Sequence, residues 1–322
     1  MQKSFGLFAG LTAAAIWGGM YVVSKAVMAV IPPFTLITLR LALGILVLFG
    51  IQVVRRIRET PLSWTPASPD AGDNQLGRSP ASPDAGSGEI ILSTTRTQFW
   101  QVFGVGFVGY GISIGFQFVG TKMSTAANGS LVTSATPAFV LLFAAFILGE
   151  KITPRSLLAL LVASLGVLAV IEPRTAQLSP SLFWGNLSLV AAALTWALYS
   201  VLIRKVTKDI DVLSTSLIAF LGGLPVSIPM GIWEVSTQGI GHIGWGVVGG
   251  ILFLGIISTA LAMYLWNTAF ASLEAGVASL TFFAQPVVGT ILGAIFLGDK
   301  ISPLFILGGV LIGIGLLISS NK

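Results

Sequence analysis

Hydropathy is the feature of this sequence that most constrains its fold. A helix needs about 20 mostly apolar residues to cross the hydrocarbon core of a bilayer, and ten such windows fit between the charges and prolines. They lie near residues 5–28, 34–54, 98–121, 125–149, 155–171, 183–203, 212–233, 245–270, 275–298 and 304–319. We therefore predict an all-α membrane protein with ten transmembrane helices and no room for a sizeable soluble domain.

Charge is scarce and unevenly placed along the chain. Charged residues make up 9% of it, against about 25% in soluble domains. If the amino terminus is cytoplasmic, 12 of the 17 basic residues fall on that side. They are Lys3, Arg55, Arg56, Arg58, Arg78, Arg96, Lys151, Arg155, Arg204, Lys205, Lys208 and Lys322. Because basic residues accumulate in cytoplasmic loops, we predict a multi-pass protein of the plasma (bacterial inner) membrane with both termini cytoplasmic and no nucleic acid partner.

Residues 55–97 interrupt the series of apolar windows. They are rich in Pro, Ser, Asp and Gly, and they contain the segment PASPDAG twice, at 66–72 and at 80–86. Because such a composition cannot bury a hydrophobic core, we predict a disordered cytoplasmic loop here.

A long internal repeat divides the rest of the chain. An offset of 149 residues aligns LGEKI at 148–152 with LGDKI at 297–301, and an offset of 179 aligns Trp17 with Trp196. The repeat predicts two five-helix units, residues 1–171 and 183–322. Because five is an odd number, the second unit enters the membrane in the opposite sense to the first. Inverted repeats of this kind are a recurring construction of secondary transporters, with the substrate site near the midplane.

Several kinds of chemistry are missing from the sequence. It has no cysteine and a single histidine, His242, so we expect no metal, cofactor or cysteine nucleophile. All twelve carboxylates fall in loops or at the ends of the predicted spans. Proton relays in transporters commonly use buried carboxylates or histidines. We therefore hypothesise facilitated diffusion, or coupling through a group at the end of a span.

Short motifs follow one another in a characteristic order. They are Trp17-Gly18, Lys25, Pro33 and Arg40 in the first two windows, and Tyr264-Leu265-Trp266-Asn267, Ala275, Pro286 and Leu297-Gly298-Asp299-Lys300-Ile301 in the last three. Over nearly the whole chain except 55–97, this order resembles EamA-type members of the drug/metabolite transporter superfamily. The resemblance implies ten helices in two inverted repeats, alternating access, and export or exchange of amino acids or similar metabolites.

Polar residues precede a proline in both the fourth and the ninth window. Because polar groups are costly in hydrocarbon, those without a partner inside the bundle usually face a cavity. The candidates for substrate contact are Asn128, Thr133, Thr281 and Gln285, and the expected helix kinks are Pro137 and Pro286. The alternative is that the hydroxyls bond back to their own helix.

Other candidates come from aromatic, amide and basic side chains. Trp17 with Tyr21, and Trp196 with Tyr199, each share one helix face, and they either wall a substrate site or simply pack. Gln117 and Asn267 are further polar candidates. Lys25 and Arg40 are the cations nearest the apolar core, and each either binds a substrate carboxylate or snorkels to the outer interface.

These patterns predict a secondary transporter that moves small polar metabolites, amino acids or related compounds, across the membrane by alternating access. Its partners would be a small-molecule substrate and the lipid bilayer, with a monomer as a plausible state. A channel for small solutes remains an alternative. An intramembrane lipid-modifying enzyme is a weaker one, because no catalytic constellation is present.

Overall fold

A computed structural model describes residues 2–59, 94–124, 129, 132–171, 183–297 and 303–320. Within these ranges the chain is helical and contains no strand. In chain order the helices are α1 (Gln2–Met28), α2 (Pro33–Glu59), α3 (Arg96–Met123), α4 (Thr136–Leu148), α5 (Pro154–Ile171), α6 (Phe183–Val206), α7 (Val212–Gln238), α8 (Trp245–Ser272), α9 (residues 275–297) and α10 (Pro303–Ser320). The predicted all-α fold class is confirmed.

Six of these helices, α1, α2, α3, α6, α7 and α8, are long and apolar enough to cross a membrane. In the described part of the chain, the other four are shorter apolar helices. Large apolar side chains point away from the bundle: Phe8, Leu46, Phe146 and Leu317 are all more than 60% exposed. A surface of this kind would aggregate in water. It is the surface that lipid requires, and the chain is a multi-pass membrane protein.

The predicted loop at 55–97 begins later and ends earlier than its composition indicated. Helix α2 continues to Glu59, and α3 already begins at Arg96. Val53, Val54 and Ile57 extend the apolar face of α2, while basic side chains in its last turn suit the negative end of the helix dipole. The predicted disorder of residues 60–93 lies outside the described residues.

The same pattern of helix contacts occurs in both halves of the chain. Helix α1 packs against α8 and α9, and α6 packs against α3 and α4. Helix α2 contacts α8, as α7 contacts α3, while α2 and α7 pack on each other and α5 packs on α10. Exchanging every helix with the one five places along the chain therefore maps this set of contacts onto itself.

Glycines bring helix backbones close together at several crossings in the described structure, and two of these are the α3–α7 and α1–α9 crossings. A Cβ added to Gly106 of α3 would lie 2.0 Å from the carbonyl oxygen of Ala219 in α7. One added to Gly18 of α1 would lie 2.8 Å from the carbonyl oxygen of Gln285 in α9. Small residues allow this close approach in membrane helices. The second crossing places the proline-bearing part of α9 against the centre of α1.

Helical geometry is irregular near the middle of the bundle. Helix α3 is π-helical at Phe107–Ser113, α8 at Phe253–Leu261, and α9 has a 3₁₀ turn at Thr281–Phe283. In α9 the turn ends just before Ala284–Leu297, whose first turn contains Pro286. Pro137 sits in the first turn of α4, directly after a turn at 134–135. Such irregularities redirect side chains and are frequent at functional sites.

Candidate functional site

A cavity lies at the centre of the bundle, between α1, α3, α4, α6, α8 and α9. Its walls are Trp17, Met20, Ser113, Ile114, Gln117, Thr133, Thr136, Ala192, Ala193, Trp196, Met263, Phe282 and Gln285. Empty space between the atoms amounts to about 370 Å³, but the volume that the centre of a water molecule can occupy is only about 20 Å³. Helices from both sequence repeats thus line a narrow chamber.

One side of the chamber carries a hydrogen-bonded group from three helices. The Tyr21 hydroxyl lies 2.8 Å from Thr133 Oγ1, and the Gln117 amide donates to the same tyrosine oxygen over 2.8 Å. Thr133 also donates to the carbonyl oxygen of Gly129. These bonds connect α1, α3 and the segment that leads into α4, so the predicted residues Tyr21, Gln117 and Thr133 come together.

Gln285 of α9 also lines the chamber. Its side-chain Nε2 donates to the Trp17 carbonyl oxygen over 3.4 Å. Its Oε1 is buried and has no hydrogen-bond partner among the described residues. The same holds for Thr136 Oγ1 and Trp196 Nε1, which line the same chamber. A buried polar atom without a partner costs about 1–3 kcal/mol, so the chamber is suited to a ligand or water that bonds to these atoms.

Aromatic rings form another part of the wall. The Trp17 ring lies 5.8 Å from Trp196, 5.3 Å from Trp266 and 6.0 Å from Phe282, measured between centroids. Trp17 Nε1 donates to the Ser258 carbonyl oxygen over 3.0 Å, which fixes the ring in place. The sequence pairing of Trp17 with Trp196 therefore corresponds to physical contact across the two repeats.

Tyr199 and Asn267 lie behind this wall, in a network of their own. The Tyr199 hydroxyl is 2.7 Å from that of Tyr110 and donates to Asn267 Oδ1 over 2.8 Å. Asn267 Nδ2 donates to Ser216 Oγ over 3.0 Å. All four side chains are buried and their polar groups are satisfied within the bundle. In this conformation they hold α3, α6, α7 and α8 together and do not reach the chamber.

Two other candidates, Thr281 and Lys25, also lie away from the chamber walls. Thr281 donates to the Ala278 carbonyl oxygen of its own helix over 2.7 Å. Lys25 is exposed, and its Nζ donates to the carbonyl oxygens of Thr121, over 3.3 Å, and of Ser124 at the end of α3. Asn128 lies outside the described residues.

Arg40 is buried, with 1% of its surface exposed, so it does not snorkel to an interface. Its Nε donates to Thr259 Oγ1 over 2.7 Å, and Nη1 lies 3.8 Å from the sulfur of Met20. Its guanidinium carbon lies 4.9 Å from the centre of the Phe118 ring. Arg40 is not itself a wall of the chamber, although Met20 is.

Several residues of the chamber wall were not predicted from the sequence. Met20, Ile114 and Met263 are apolar side chains in apolar windows, and Ser113 and Phe282 carry no motif. Ser113 lies four residues before Gln117, so its position on the same helix face was a usable signal. No comparable signal separates the methionines from ordinary packing residues.

Charged residues gather at one end of the bundle. Glu150, just after α4, pairs with Arg204 of α6 over 3.1 Å. The same carboxylate accepts bonds from the backbone nitrogens of Ala275, over 3.0 Å, and of Gly276, over 3.4 Å, at the start of α9. Carboxylates are favoured at helix amino termini. These contacts, which we name the Glu150 latch, tie α4, α6 and α9 together.

Two larger cavities open beside the latch. Their water-accessible volumes are about 520 Å³ and about 500 Å³, and both are lined by Arg204 and Glu274. Lys3 of α1 and Ser319 of α10 line the second one. The beginning of α1 and the end of α10 therefore lie at the same end of the bundle as the latch.

The fold of the described residues defines a class: an all-helical, multi-pass membrane protein with a narrow chamber between its helices. The model of the EamA-like transporter family matches residues 4–69, 82–171 and 183–321. The chain belongs to this family, and it is a transporter rather than an enzyme.

Similar proteins agree with this assignment. An uncharacterized transporter of Bacillus subtilis, YyaM, is 30% identical over 206 residues, which are 63% of this chain and 67% of that protein. A Salmonella typhimurium protein named "Probable amino-acid metabolite efflux pump" is 25% identical, over 66% of this chain and 75% of its own length. A solved crystal structure matches 99% of this chain and 96% of its own with a TM-score of 0.74 and 20% identity, which shows a shared fold.

Proposed function

We propose that this protein is a secondary transporter of small polar metabolites, amino acids or related compounds, that works by alternating access. The observation that carries the proposal is the central chamber, whose walls come from both sequence repeats and whose polar atoms Thr136 Oγ1, Trp196 Nε1 and Gln285 Oε1 lack partners among the described residues. With a water-accessible volume of about 20 Å³, the chamber is too small for an amino acid in this conformation. Opening on either side is therefore part of the proposal.

The proposed architecture is ten spanning helices in two inverted repeats. Its support is that equivalent side chains make equivalent contacts. Arg204 Nη1 donates to the Phe270 carbonyl oxygen, and Lys25, offset by 179 residues, donates to that of Thr121, offset by 149. This is the pattern that a two-fold axis between α1–α5 and α6–α10 would produce.

A second equivalent pair joins α2 and α7. Arg55 near the end of α2 lies 3.8 Å from Asp211 at the start of α7. Its counterpart at an offset of 179, Glu234 near the end of α7, accepts from the backbone nitrogens of Phe34 and Thr35 at the start of α2, over 2.7 and 3.0 Å. Arg55 is positive and Glu234 is negative, but each of them joins the end of its own helix to the start of the equivalent helix in the other repeat.

The Glu150 latch is the proposed gate at one end. Three helices that wall or flank the chamber meet there, and their ends separate only if the ion pair and the amide contacts break. We place this end in the cytoplasm of a plasma membrane protein, with both termini on that side. The support is that Lys151, Arg155, Arg204 and Lys208 cluster there, as basic residues do on cytoplasmic faces.

Amino acids are proposed as the substrate class on two grounds. The chamber offers neutral hydrogen-bonding groups beside aromatic walls, which suits a solute with both polar and apolar parts. The Salmonella relative is named for amino-acid metabolites. The described walls of the chamber include no acidic side chain, which supports facilitated diffusion, or coupling through a group at the end of a span, over a proton relay through this site.

Counterflow in proteoliposomes tests the proposal. Vesicles containing the purified protein are loaded with a mixture of unlabelled L-amino acids, and entry of each labelled amino acid is followed with and without the internal load. A carrier gives saturable entry that the internal solute accelerates. Entry that neither saturates nor responds to the internal load would indicate a channel, and no entry of any amino acid would refute the proposed substrate class.

A further inference from the structure

Arg40 is a cation buried inside the bundle, and it has no countercharge among the residues that the structure describes. It lies seven residues after Pro33, which places it about 10 Å along α2 at 1.5 Å per residue. Only 1% of its surface is exposed. Burying an ion of this kind is costly unless an opposite charge or several hydrogen bonds compensate it.

The partners of Arg40 in the structure are all neutral. They are the Thr259 hydroxyl, the Met20 sulfur and the Phe118 ring. A thioether is a weak acceptor, and Nη2 has no hydrogen-bond partner in the described part of the chain. The ion pairs resolved among the described residues, Arg55 with Asp211 and Arg204 with Glu150, lie at helix ends. The outer edge of the guanidinium, Nη1 and Nη2, therefore lacks an anionic acceptor.

Met20 connects this edge of Arg40 with the chamber. Met20 touches Arg40 Nη1 with its sulfur, and it is also a wall of the chamber. Methionine is unbranched and changes rotamer easily. A rotation of Met20 away from Arg40 would open the guanidinium edge to the chamber and enlarge the chamber at the same time.

We propose that Arg40 is the anion-binding subsite of the central chamber, covered by Met20 in this conformation, and that its ligand is the carboxylate of the transported solute. The two outer nitrogens of a guanidinium match the two oxygens of one carboxylate, and a single positive charge balances a single negative one. The proposal rests on the proposed function, and it adds a requirement: the substrate carries a carboxylate, and Met20 moves when it binds.

The requirement is tested with matched pairs of solutes. Counterflow is measured for labelled L-amino acids and for their carboxamides, which keep the side chain and the amino group but lack the carboxylate. We expect the wild type to exchange acids at least about tenfold faster than amides. In Arg40→Gln the acid-to-amide ratio falls to about one, while Arg40→Lys keeps part of the preference because it keeps the charge.

A second variant tests whether Arg40 lacks a countercharge, and its readout is thermal stability instead of transport. Met20→Glu puts a carboxylate where the thioether now meets Arg40, and Met20→Gln is its neutral control of the same size. We expect Met20→Glu to melt at a higher temperature than Met20→Gln in detergent, because it supplies the missing anion. It should also block exchange of acids.

The outcomes separate the two proposals. If the wild type exchanges neither acids nor amides, the proposed function fails, and this inference fails with it. If the wild type exchanges both equally well, or if Arg40→Gln slows both in the same proportion, transport stands and Arg40 is a structural residue. Should Arg40→Gln fail to fold, a melting temperature of Met20→Glu at or below that of Met20→Gln would overturn the inference by itself.

Discussion

Replacing Glu150 with Gln should open the end of the transporter at which the latch lies. The carboxylate pairs with Arg204 over 3.1 Å and accepts from the amides of Ala275 and Gly276. Glutamine keeps the size and one acceptor oxygen, so the change removes mainly the charge. If the latch holds this end closed, its weakening increases the fraction of molecules that are open there.

The size of the effect follows from the environment of the pair. Both side chains are 20% exposed, so the ion pair is worth about 1 kcal/mol, near the upper end for accessible pairs. A carboxylate at a helix amino terminus adds about 0.5–1 kcal/mol. Together the loss is about 1.5–2 kcal/mol, which changes the ratio of open to closed molecules by roughly 10- to 30-fold.

A single introduced cysteine can report this change, because the natural sequence contains none. Ala193 is buried and lines the chamber, so Ala193→Cys reacts with a membrane-impermeant thiol reagent only when the chamber opens. In inside-out vesicles, Glu150→Gln should raise the labelling rate by about 10-fold or more. In right-side-out vesicles the rate should not rise.

The matched control is Arg55→Gln, which breaks an ion pair at the same end of the bundle. That pair is longer, at 3.8 Å, and its side chains are 53% and 32% exposed, so its loss should change labelling less than about threefold. An equal rise in both variants would mean that the assay reports general loosening. No rise in Glu150→Gln would refute the role of the latch as a gate.

Three further substitutions separate packing from binding. Gly106→Ala should lower the melting temperature, because its Cβ would lie 2.0 Å from a carbonyl oxygen of α7. Overpacking of this kind costs about 1–3 kcal/mol. The control is Gly104→Ala, which has open space around it and should leave the melting temperature unchanged. Asn267→Ala should destabilise the protein by about 1–3 kcal/mol in thermal unfolding, because it removes the amide to which Tyr199 and Ser216 are bonded. The KM for exchange should not change. Gln285→Ala should raise KM about 10-fold with a smaller loss of stability, since its Oε1 is unpartnered in the described structure and its Nε2 bond to the Trp17 carbonyl oxygen is long, at 3.4 Å. A fall in stability as large as that of Asn267→Ala would contradict a binding role.

Much of the fold was readable from hydropathy, because a bilayer forces every backbone group of a span to bond within its own helix. Apolar windows therefore correspond to helices, and the all-α prediction succeeded. The boundary after the second window was wrong, since Arg55, Arg56 and Arg58 were read as the start of a loop. Basic residues suit the last turn of a helix as well as the start of a cytoplasmic loop, so their presence does not distinguish the two.

The chamber was readable only in part. Trp17, Gln117, Thr133, Trp196 and Gln285 were singled out as polar or aromatic residues within apolar windows, and the structure places all five around one space. Other candidates of the same chemical types turned out to have partners elsewhere. A side chain that bonds to a neighbouring helix looks the same in sequence as one that faces a cavity.

The sequence by itself determined the class of this protein: a helical membrane protein with an internal sequence repeat. The tertiary structure decided which polar groups remain unsatisfied. Asn267 and Thr281 are paired inside the bundle, while Gln285 Oε1 and Arg40 Nη2 lack partners within the described ranges. The physical reason is that hydropathy acts on each segment independently, whereas a hydrogen bond between helices depends on positions that only the packed bundle defines.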